Sequence, residues 1–140
     1  MPEFSLSASR DVSRSELLAL YDSVGWTAYT NEPDVLERAV RKSSFVVTAR
    51  ADGALVGLAR AMSDDETICY VQDILVHPSF HRSGVGRQLL AGVMDRFAHV
   101  RQTVLLTDDE PGQRAFYESQ GFIEGGDSKP HTLRVFTLFR

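Results

Sequence analysis

Residues 71–87 constrain the fold more than any other part of the chain. They read as a buried strand, a short basic turn and the start of a long amphipathic helix. The backbone N–H groups at a helix N-terminus lack intrahelical partners and can bind an anion. Gly84 and Gly86 let a ligand approach the backbone closely, and Arg82 and Arg87 add positive charge. This order predicts a site for a phosphate-bearing cofactor.

The glycine turn fits one known pattern better than the others. It lacks the third glycine of a dinucleotide-binding loop, and no Gly-Lys-Ser/Thr follows as in a P-loop. Asp73-Ile74-Leu75-Val76-His77-Pro78, followed by His81-Arg82-Ser83-Gly84-Val85-Gly86, resembles the acetyl-CoA-binding segment of the GNAT family (GCN5-related N-acetyltransferases). The family signature is Gln/Arg-x-x-Gly-x-Gly/Ala, so His81 replaces its first residue. His81 either contacts phosphate or only forms the turn.

A second block supports the same resemblance. The stretch Leu105-Leu106-Thr107-Asp108-Asp109-Glu110-Pro111, then Arg114-Ala115-Phe116-Tyr117-Glu118-Ser119-Gln120-Gly121-Phe122, is similar to the family's later strand and helix, which ends in Phe-Tyr-x-x-x-Gly-Phe. Pro111 suits the first turn of a helix, and Gly121 suits its C-terminal cap. One helix and one strand fit between the two blocks.

Composition sets broad limits on the class of protein. The 140 residues fit one domain, 1–140, and a net charge of −4 argues against broad nucleic-acid binding, which needs a basic face. No apolar run of about 18 residues is present, so we expect no membrane span. The single cysteine, Cys69, excludes an internal disulfide and a Cys-rich metal site. These features favour a cytoplasmic protein.

The periodicity of apolar residues predicts a mixed α/β fold with one central sheet. The resemblance implies that the sheet is mostly antiparallel, is flanked by about four helices, and pairs in parallel at the cofactor-binding strand. We expect helices over 13–24, 31–42, the segment after the glycine turn and 111–120, and strands over 44–50, 55–62, 67–76, 103–106, 122–123 and 133–139, the last two forming a hairpin across 125–131. Asp52-Gly53 predicts a tight turn between the first two strands.

The resemblance implies that acetyl-CoA is the cofactor and that no metal is needed. The pantetheine arm would lie along the strand end and bind its backbone as an added strand would. Arg114, on the last helix, either reaches the phosphates or adenine edge of the cofactor or is a solvated helix arginine. The positions that match the cofactor-binding segment are Ile74, Leu75, Val76, His81, Arg82, Ser83, Gly84, Val85, Gly86 and Arg87.

Two residues are candidates for proton transfer. The resemblance makes Tyr117 the general acid that protonates the CoA sulfur and also a cofactor contact. Strand alternation places Tyr70, Gln72 and Ile74 on one face, and Val71, Asp73 and Leu75 on the other. Asp73 is the only carboxylate in that strand. It binds the substrate ammonium or takes its proton through water, or else it is a structural acceptor of hydrogen bonds from a neighbouring loop.

Trp26 and Tyr29 lie between the first two predicted helices, where the family builds its acceptor pocket. With Gln72 and Asp73 they are the candidate substrate-binding residues. The two rings either bracket an amine by cation–π contact or pack against the sheet. We expect direct acetyl transfer to a primary amine of a small molecule. A non-catalytic acyl-CoA-binding module and a protein lysine or N-terminal acetyltransferase stay open, and the resemblance allows a homodimer.

Overall fold

The computed structural model describes residues 3–140, which form two units divided after Leu106. The second unit contains helix α5 (Pro111–Ser119) and a 3₁₀ turn at Gly125–Asp127. The first unit contains strands β1 (Ser5–Ala8), β2 (Phe45–Ala51), β3 (Ala54–Ser63), β4 (Ile68–Val76) and β5 (Gln102–Leu105), helices α1 (Arg14–Ser23), α2 (Thr27–Thr30), α3 (Pro33–Lys42) and α4 (Val85–Arg96), and a 3₁₀ turn at Pro78–Phe80.

One mixed sheet follows the order of the strands along the chain. Strands β1 to β4 pair antiparallel with their neighbours, and β5 pairs parallel to β4. The β2–β3 turn has Asp52 at φ 49° and Gly53 at φ 79°, the left-handed conformations that an Asp-Gly hairpin turn requires. The parallel step from β4 to β5 is made through α4, as parallel strands need a crossover. The predicted mixed fold class and its parallel strand pair are confirmed.

Apolar side chains cover both faces of this sheet. On one face α4 packs Val85, Leu89 and Val93 against small residues of the central strands. On the other face α1 and α3 pack with side chains of the same strands; this core contains Leu17, Leu20, Tyr21, Leu36, Val40, Val46, Leu55, Leu58 and Leu75. Burying one large aliphatic side chain contributes about 1.5–3 kcal/mol. These two layers hold β3 and β4 at the centre of the first unit.

Local sequence explains where the first helices begin. The Ser13 hydroxyl accepts a hydrogen bond from Glu16 N at 3.2 Å and caps α1, and Pro33 occupies the first turn of α3. The second predicted helix therefore begins at residue 33 and not at 31. The preceding segment, expected as a loop, contains the one-turn helix α2. No helix within residues 3–140 has both the length and the apolar character that a membrane crossing requires.

The predicted C-terminal hairpin is wrong. Residues 122–123 and 133–139 form no strand in the structure, and large apolar side chains there are exposed, with Phe136 at 89%. Within the second unit Leu133 N donates to Gly125 O at 2.8 Å, which closes a loop without a ladder of paired strands. Alternation of apolar and polar residues indicates that a segment could fit a half-buried sheet surface. It does not show that a partner strand is available. Conversely, β1 was not expected, because its four residues are too few for a clear pattern.

Gly57 tests the close packing of α4 on the sheet. A Cβ on this residue would lie 2.9 Å from Val85 Cγ1 and 3.0 Å from Leu89 Cδ1. We expect Gly57→Ala to lower the free energy of unfolding by about 1–3 kcal/mol through overpacking. Gly92→Ala is the control, because its Cβ would meet Val47 at an ordinary 3.6 Å and alanine favours a helix. Urea denaturation measures both, and an equal loss in the two variants would contradict this account.

Candidate active site

A β-bulge in β4 directs the side chains of the candidate site. The pairing of β3 with β4 shifts so that Arg60 lies opposite Asp73 while Ala61 lies opposite Val71, which leaves Gln72 as the extra residue. Val71 therefore belongs to the core under α4, whereas Leu75 belongs to the core under α1 and α3. The predicted alternation, which put these residues on one face, is wrong at this point, because a bulge reverses the faces beyond it.

The end of β4 has no strand partner on the β5 side within the described part of the chain, and this unpaired edge is called the gap. Parallel pairing with β5 ends at Val71 and Leu105, yet β4 continues to Val76. His77 N donates to Val56 O at 2.8 Å, so alternation turns the backbone of Leu75 toward β3 and that of Ile74 and Val76 toward the gap. An extended ligand could add to this edge as a strand does.

The turn between β4 and α4 is stiffened by its own side chains. His77 Nδ1 accepts a hydrogen bond from Ser79 N at 3.1 Å, and the Ser83 hydroxyl donates to Phe80 O. Arg82 and Gly84 both adopt positive φ, 61° and 91°. Only glycine takes this conformation without steric cost, so Gly84 has a backbone role beside its small size.

The N-terminus of α4 offers backbone donors to an anion. The first hydrogen bond of the helix runs from Gln88 N to Gly84 O at 3.1 Å, so the N–H groups of Val85, Gly86 and Arg87 precede the intrahelical ladder. A Cβ on Gly84 would lie 3.6 Å from the Arg87 guanidinium, which places that charge over the turn. A pyrophosphate group would fit here, because the N–H groups are free of intrahelical partners, Gly84 has no side chain in the way and the Arg87 guanidinium supplies positive charge.

His81 links this turn to the gap beside β4. Its Nε2 lies 2.9 Å from Val76 O, and because a carbonyl oxygen only accepts, Nε2 is the donor. The residue that departs from the family signature thus binds the backbone of the strand end. Arg82 is exposed at the same turn. Of the predicted cofactor residues between 74 and 87, Leu75 turns its backbone toward β3 and its side chain into the core. The others lie at the strand end, in the turn or at the start of α4.

Asp73 is buried in a hydrogen-bonded ion pair. It is 4% exposed, and its Oδ2 accepts from Arg60 Nε at 2.5 Å and from the Tyr21 hydroxyl at 3.0 Å. Its Oδ1 accepts from the Tyr29 hydroxyl at 2.8 Å. The Tyr29 hydroxyl in turn accepts from Gln72 Nε2 at 3.1 Å. Both carboxylate oxygens therefore have partners, which is the condition for tolerating a buried charge.

Burial and the Arg60–Asp73 contact shift the pKa values of the side chains in this network. Burial lowers the pKa of the Arg60 guanidinium, but the charge and hydrogen bond of Asp73 raise it by more, so the net shift is upward. Burial, and then the charge of Asp73, raise the pKa of both Tyr21 and Tyr29. Both phenols are therefore hydrogen-bond donors to Asp73 at neutral pH.

The sequence did not single out Arg60 or Tyr21. Tyr21 looked like one more apolar residue of a helical stripe, and it is fully buried. Arg60 lies among Leu58, Ala59 and Ala61, and a charge within such a strand was a usable signal. Charged residues are rarely buried without a partner, so Arg60 should have been matched with the lone carboxylate of β4.

The other two predicted site residues, Tyr117 and Arg114, lie on α5 in the second unit. Tyr117 on α5 is 7% exposed, with its ring 5.0 Å from that of Phe116 and 5.8 Å from that of Phe122. Burial raises the pKa of Tyr117 to about 12. Gly121, at φ 93°, ends the helix as expected. On the same helix Arg114 is half exposed and lies within 3.0 Å of three carboxylates, those of Glu118, Glu124 and Asp127.

The end of β4–β5 pairing beside a glycine-rich helix N-terminus can accommodate an extended ligand that carries a phosphate group. A family model described as an acetyltransferase (GNAT) domain matches residues 17–132. The chain belongs to the GNAT family of N-acetyltransferases.

Three known proteins illustrate the likeness. An uncharacterized N-acetyltransferase, ycf52, from Pyropia yezoensis is 29% identical over 126 residues, covering 87% of this chain and 71% of the relative. A GNAT family acetyltransferase from Streptococcus pneumoniae TIGR4 is 29% identical, with a TM-score of 0.82 and coverage of 99% and 100%. Aminoglycoside N-acetyltransferase AAC(6')-Iy in complex with CoA shares the fold at 18% identity, a TM-score of 0.74 and coverage of 100% and 96%.

The buried position of Asp73 gives a stability test. We expect Asp73→Asn to cost about 3–5 kcal/mol of unfolding free energy, because it leaves the Arg60 charge buried without a carboxylate. Asp65→Asn is the matched control, since Asp65 pairs with Arg96 in an exposed position and such pairs contribute little. Chemical denaturation compares the two. Similar midpoints for both variants would show that Asp73 is not a buried structural charge.

Proposed function

We propose that this chain transfers an acetyl group from acetyl-CoA directly to a primary amine of a small molecule. The observation that carries the proposal is the gap beside Ile74 and Val76, which continues into the helix N-terminus at Gly84. Membership of the GNAT family and the CoA complex of a protein with the same fold support it. Acetyl-CoA would supply the acyl group as a thioester, which is reactive toward amines.

The donor would be held mainly by backbone. The N–H and C=O groups of Ile74 and the N–H group of Val76 would bind the pantetheine arm, since Val76 O already accepts from His81. The N–H groups at the start of α4 would bind the pyrophosphate. Arg82 and Arg87 would add charge at the phosphates. We leave Leu75 to core packing, since its backbone faces β3 and its side chain is buried. His81 would act by fixing Val76 to the turn.

Tyr117 is the proposed general acid, on the strength of its match to the family motif. Its hydroxyl would give its proton to the sulfur atom as the thiol leaves. Because burial raises its pKa to about 12, the phenol keeps this proton throughout the neutral range. Arg114 is not needed at the phosphates in this proposal, because three carboxylates already surround it.

For Asp73 we favour a positioning role. Its oxygens are occupied by Arg60, Tyr21 and Tyr29, so the carboxylate would have to break a buried bond to touch an amine. We propose that it orients Tyr29 and, through Tyr29, the exposed amide of Gln72. The amine would then lose its proton to water.

Ligand-induced stabilisation tests the cofactor. We expect acetyl-CoA and CoA to raise the melting temperature, because a ligand at about 100 times its Kd adds roughly 2.7 kcal/mol of stability. NAD and ATP at the same concentration should give a smaller shift, since they lack the pantetheine arm that fits the gap. A shift with NAD or ATP alone, or no shift with CoA, would contradict the proposal.

Tyr117→Phe tests the general acid. We expect kcat for thiol release from acetyl-CoA, measured over a panel of primary amines, to fall by about 10²- to 10⁴-fold. The affinity for CoA should stay unchanged, because the ring remains. Tyr70→Phe is the control and should keep the wild-type rate.

Two results would go against these assignments. A Tyr117→Phe variant with the wild-type kcat would remove Tyr117 as the acid. Wild-type protein that binds CoA yet releases no thiol with any amine would indicate the non-catalytic acyl-CoA-binding module.

A further inference from the structure

Two half-buried rings form an aromatic wall, consisting of Trp26 and Tyr29, beside the bulge of β4. Their centroids are 6.3 Å apart at an angle of 38°. The fully buried Tyr21 ring supports both of them edge-on, at 5.9 Å from Trp26 and 5.1 Å from Tyr29. Such contacts between aromatic rings are favourable and directional. The wall is therefore preformed, and both of its residues are partly exposed.

The Tyr29 hydroxyl has no capacity left for a ligand. It donates to Asp73 Oδ1 and accepts from Gln72 Nε2 and from Arg60 Nη2, the last at 3.3 Å. A hydroxyl has one donor and two acceptor sites, so all three are used. A molecule that binds here meets the surface of the ring and not its oxygen.

The buried charge of β4 behind the wall is already compensated. Asp73 is buried and paired with Arg60, whose guanidinium carbon also lies 5.7 Å from the centre of the Tyr29 ring. A multiply charged ligand would thus find no exposed carboxylate in β4. The exposed side chain of Gln72 is neutral, and its Nε2 is held by Tyr29, so Oε1 is oriented as an acceptor for one N–H group.

We propose that the acceptor is a monoamine carried on an aromatic or apolar body, and not a polyamine or another polycation. The body lies against the aromatic wall, and the amino group donates to Gln72 Oε1. Flat apolar groups gain most from rigid aromatic surfaces, while one neutral oxygen suits one amino group. The inference rests on the proposed acetyl transfer and names the substrate class for the same site.

Trp26 is the only tryptophan of the chain, so its fluorescence reports directly on the wall. The experiment titrates the CoA-saturated protein with 2-phenylethylamine and, separately, with spermidine. We expect a saturable change in Trp26 emission with 2-phenylethylamine at a Kd about tenfold lower than for spermidine, a difference of about 1.4 kcal/mol. A Kd for spermidine equal to or lower than that for 2-phenylethylamine, or no change with 2-phenylethylamine, would overturn the inference.

Matched variants separate the wall from the network behind it. Tyr29→Phe keeps the ring but removes the bonds that fix it and Gln72, so the Kd for 2-phenylethylamine should rise by about fivefold or more. Tyr21→Phe removes one bond to the same carboxylate from a ring that is fully buried, and should change the Kd by less than about twofold. Equal effects of the two variants would mean that the change is only structural, which also overturns the inference.

Gln72→Glu supplies a gain of function. It places a carboxylate where the neutral amide stands, so spermidine should bind several-fold more tightly than to the wild type. Unchanged spermidine affinity would contradict the position given to the amino group. The effect of CoA on the melting temperature of the same sample shows which proposal has failed. If CoA does not raise the melting temperature, the proposed acetyl transfer is wrong. If CoA raises it but 2-phenylethylamine does not bind, only the proposed substrate class is wrong.

Discussion

The buried ion pair of Arg60 and Asp73 joins more elements of the first unit than any other polar contact described here. It links β3 to β4 at the bulge, and its hydrogen bonds extend to Tyr21 on α1, Tyr29 on α2 and Ser43 after α3. A charge at this depth is stable only with all its partners present. The pair therefore requires one arrangement of the three helices over the sheet. That arrangement fixes the part of the site proposed to bind the amine, called the acceptor side.

The part of the site proposed to hold acetyl-CoA, called the donor side, depends on a different constraint. The parallel pairing of β4 with β5 ends before β4 does. Since β5 stops opposite Val71, the backbone of Ile74 and Val76 keeps an open edge, and α4 begins close to it after a glycine turn. His81 holds these two parts together through Val76 O. The two sides meet in β4, because Gln72 at the bulge belongs to the acceptor side and the strand end belongs to the donor side.

The sequence predicted the elements whose signals are local. The start of the first helix near Ser13, Asp52-Gly53 as a turn and the apolar period of α4 each depend on neighbours within a few residues. The position of the bulge could not be predicted in this way, because it depends on the register of β4 against β3 and not on neighbours along the chain. The same limit applies to 133–139, where a clear alternating pattern has no strand partner in the structure. Within the site, the cofactor turn was predictable and the hydrogen-bonded network was not.

The central claim is that one continuous site runs from the end of β4 to the start of α4. Backbone amide chemical shifts during titration with CoA test it most directly, because each N–H group reports on itself. The account predicts that the largest changes occur at Ile74, Val76 and the amides of residues 83–87. Saturating CoA that leaves these amides unchanged, or that shifts only residues far from β4 and α4, would contradict it.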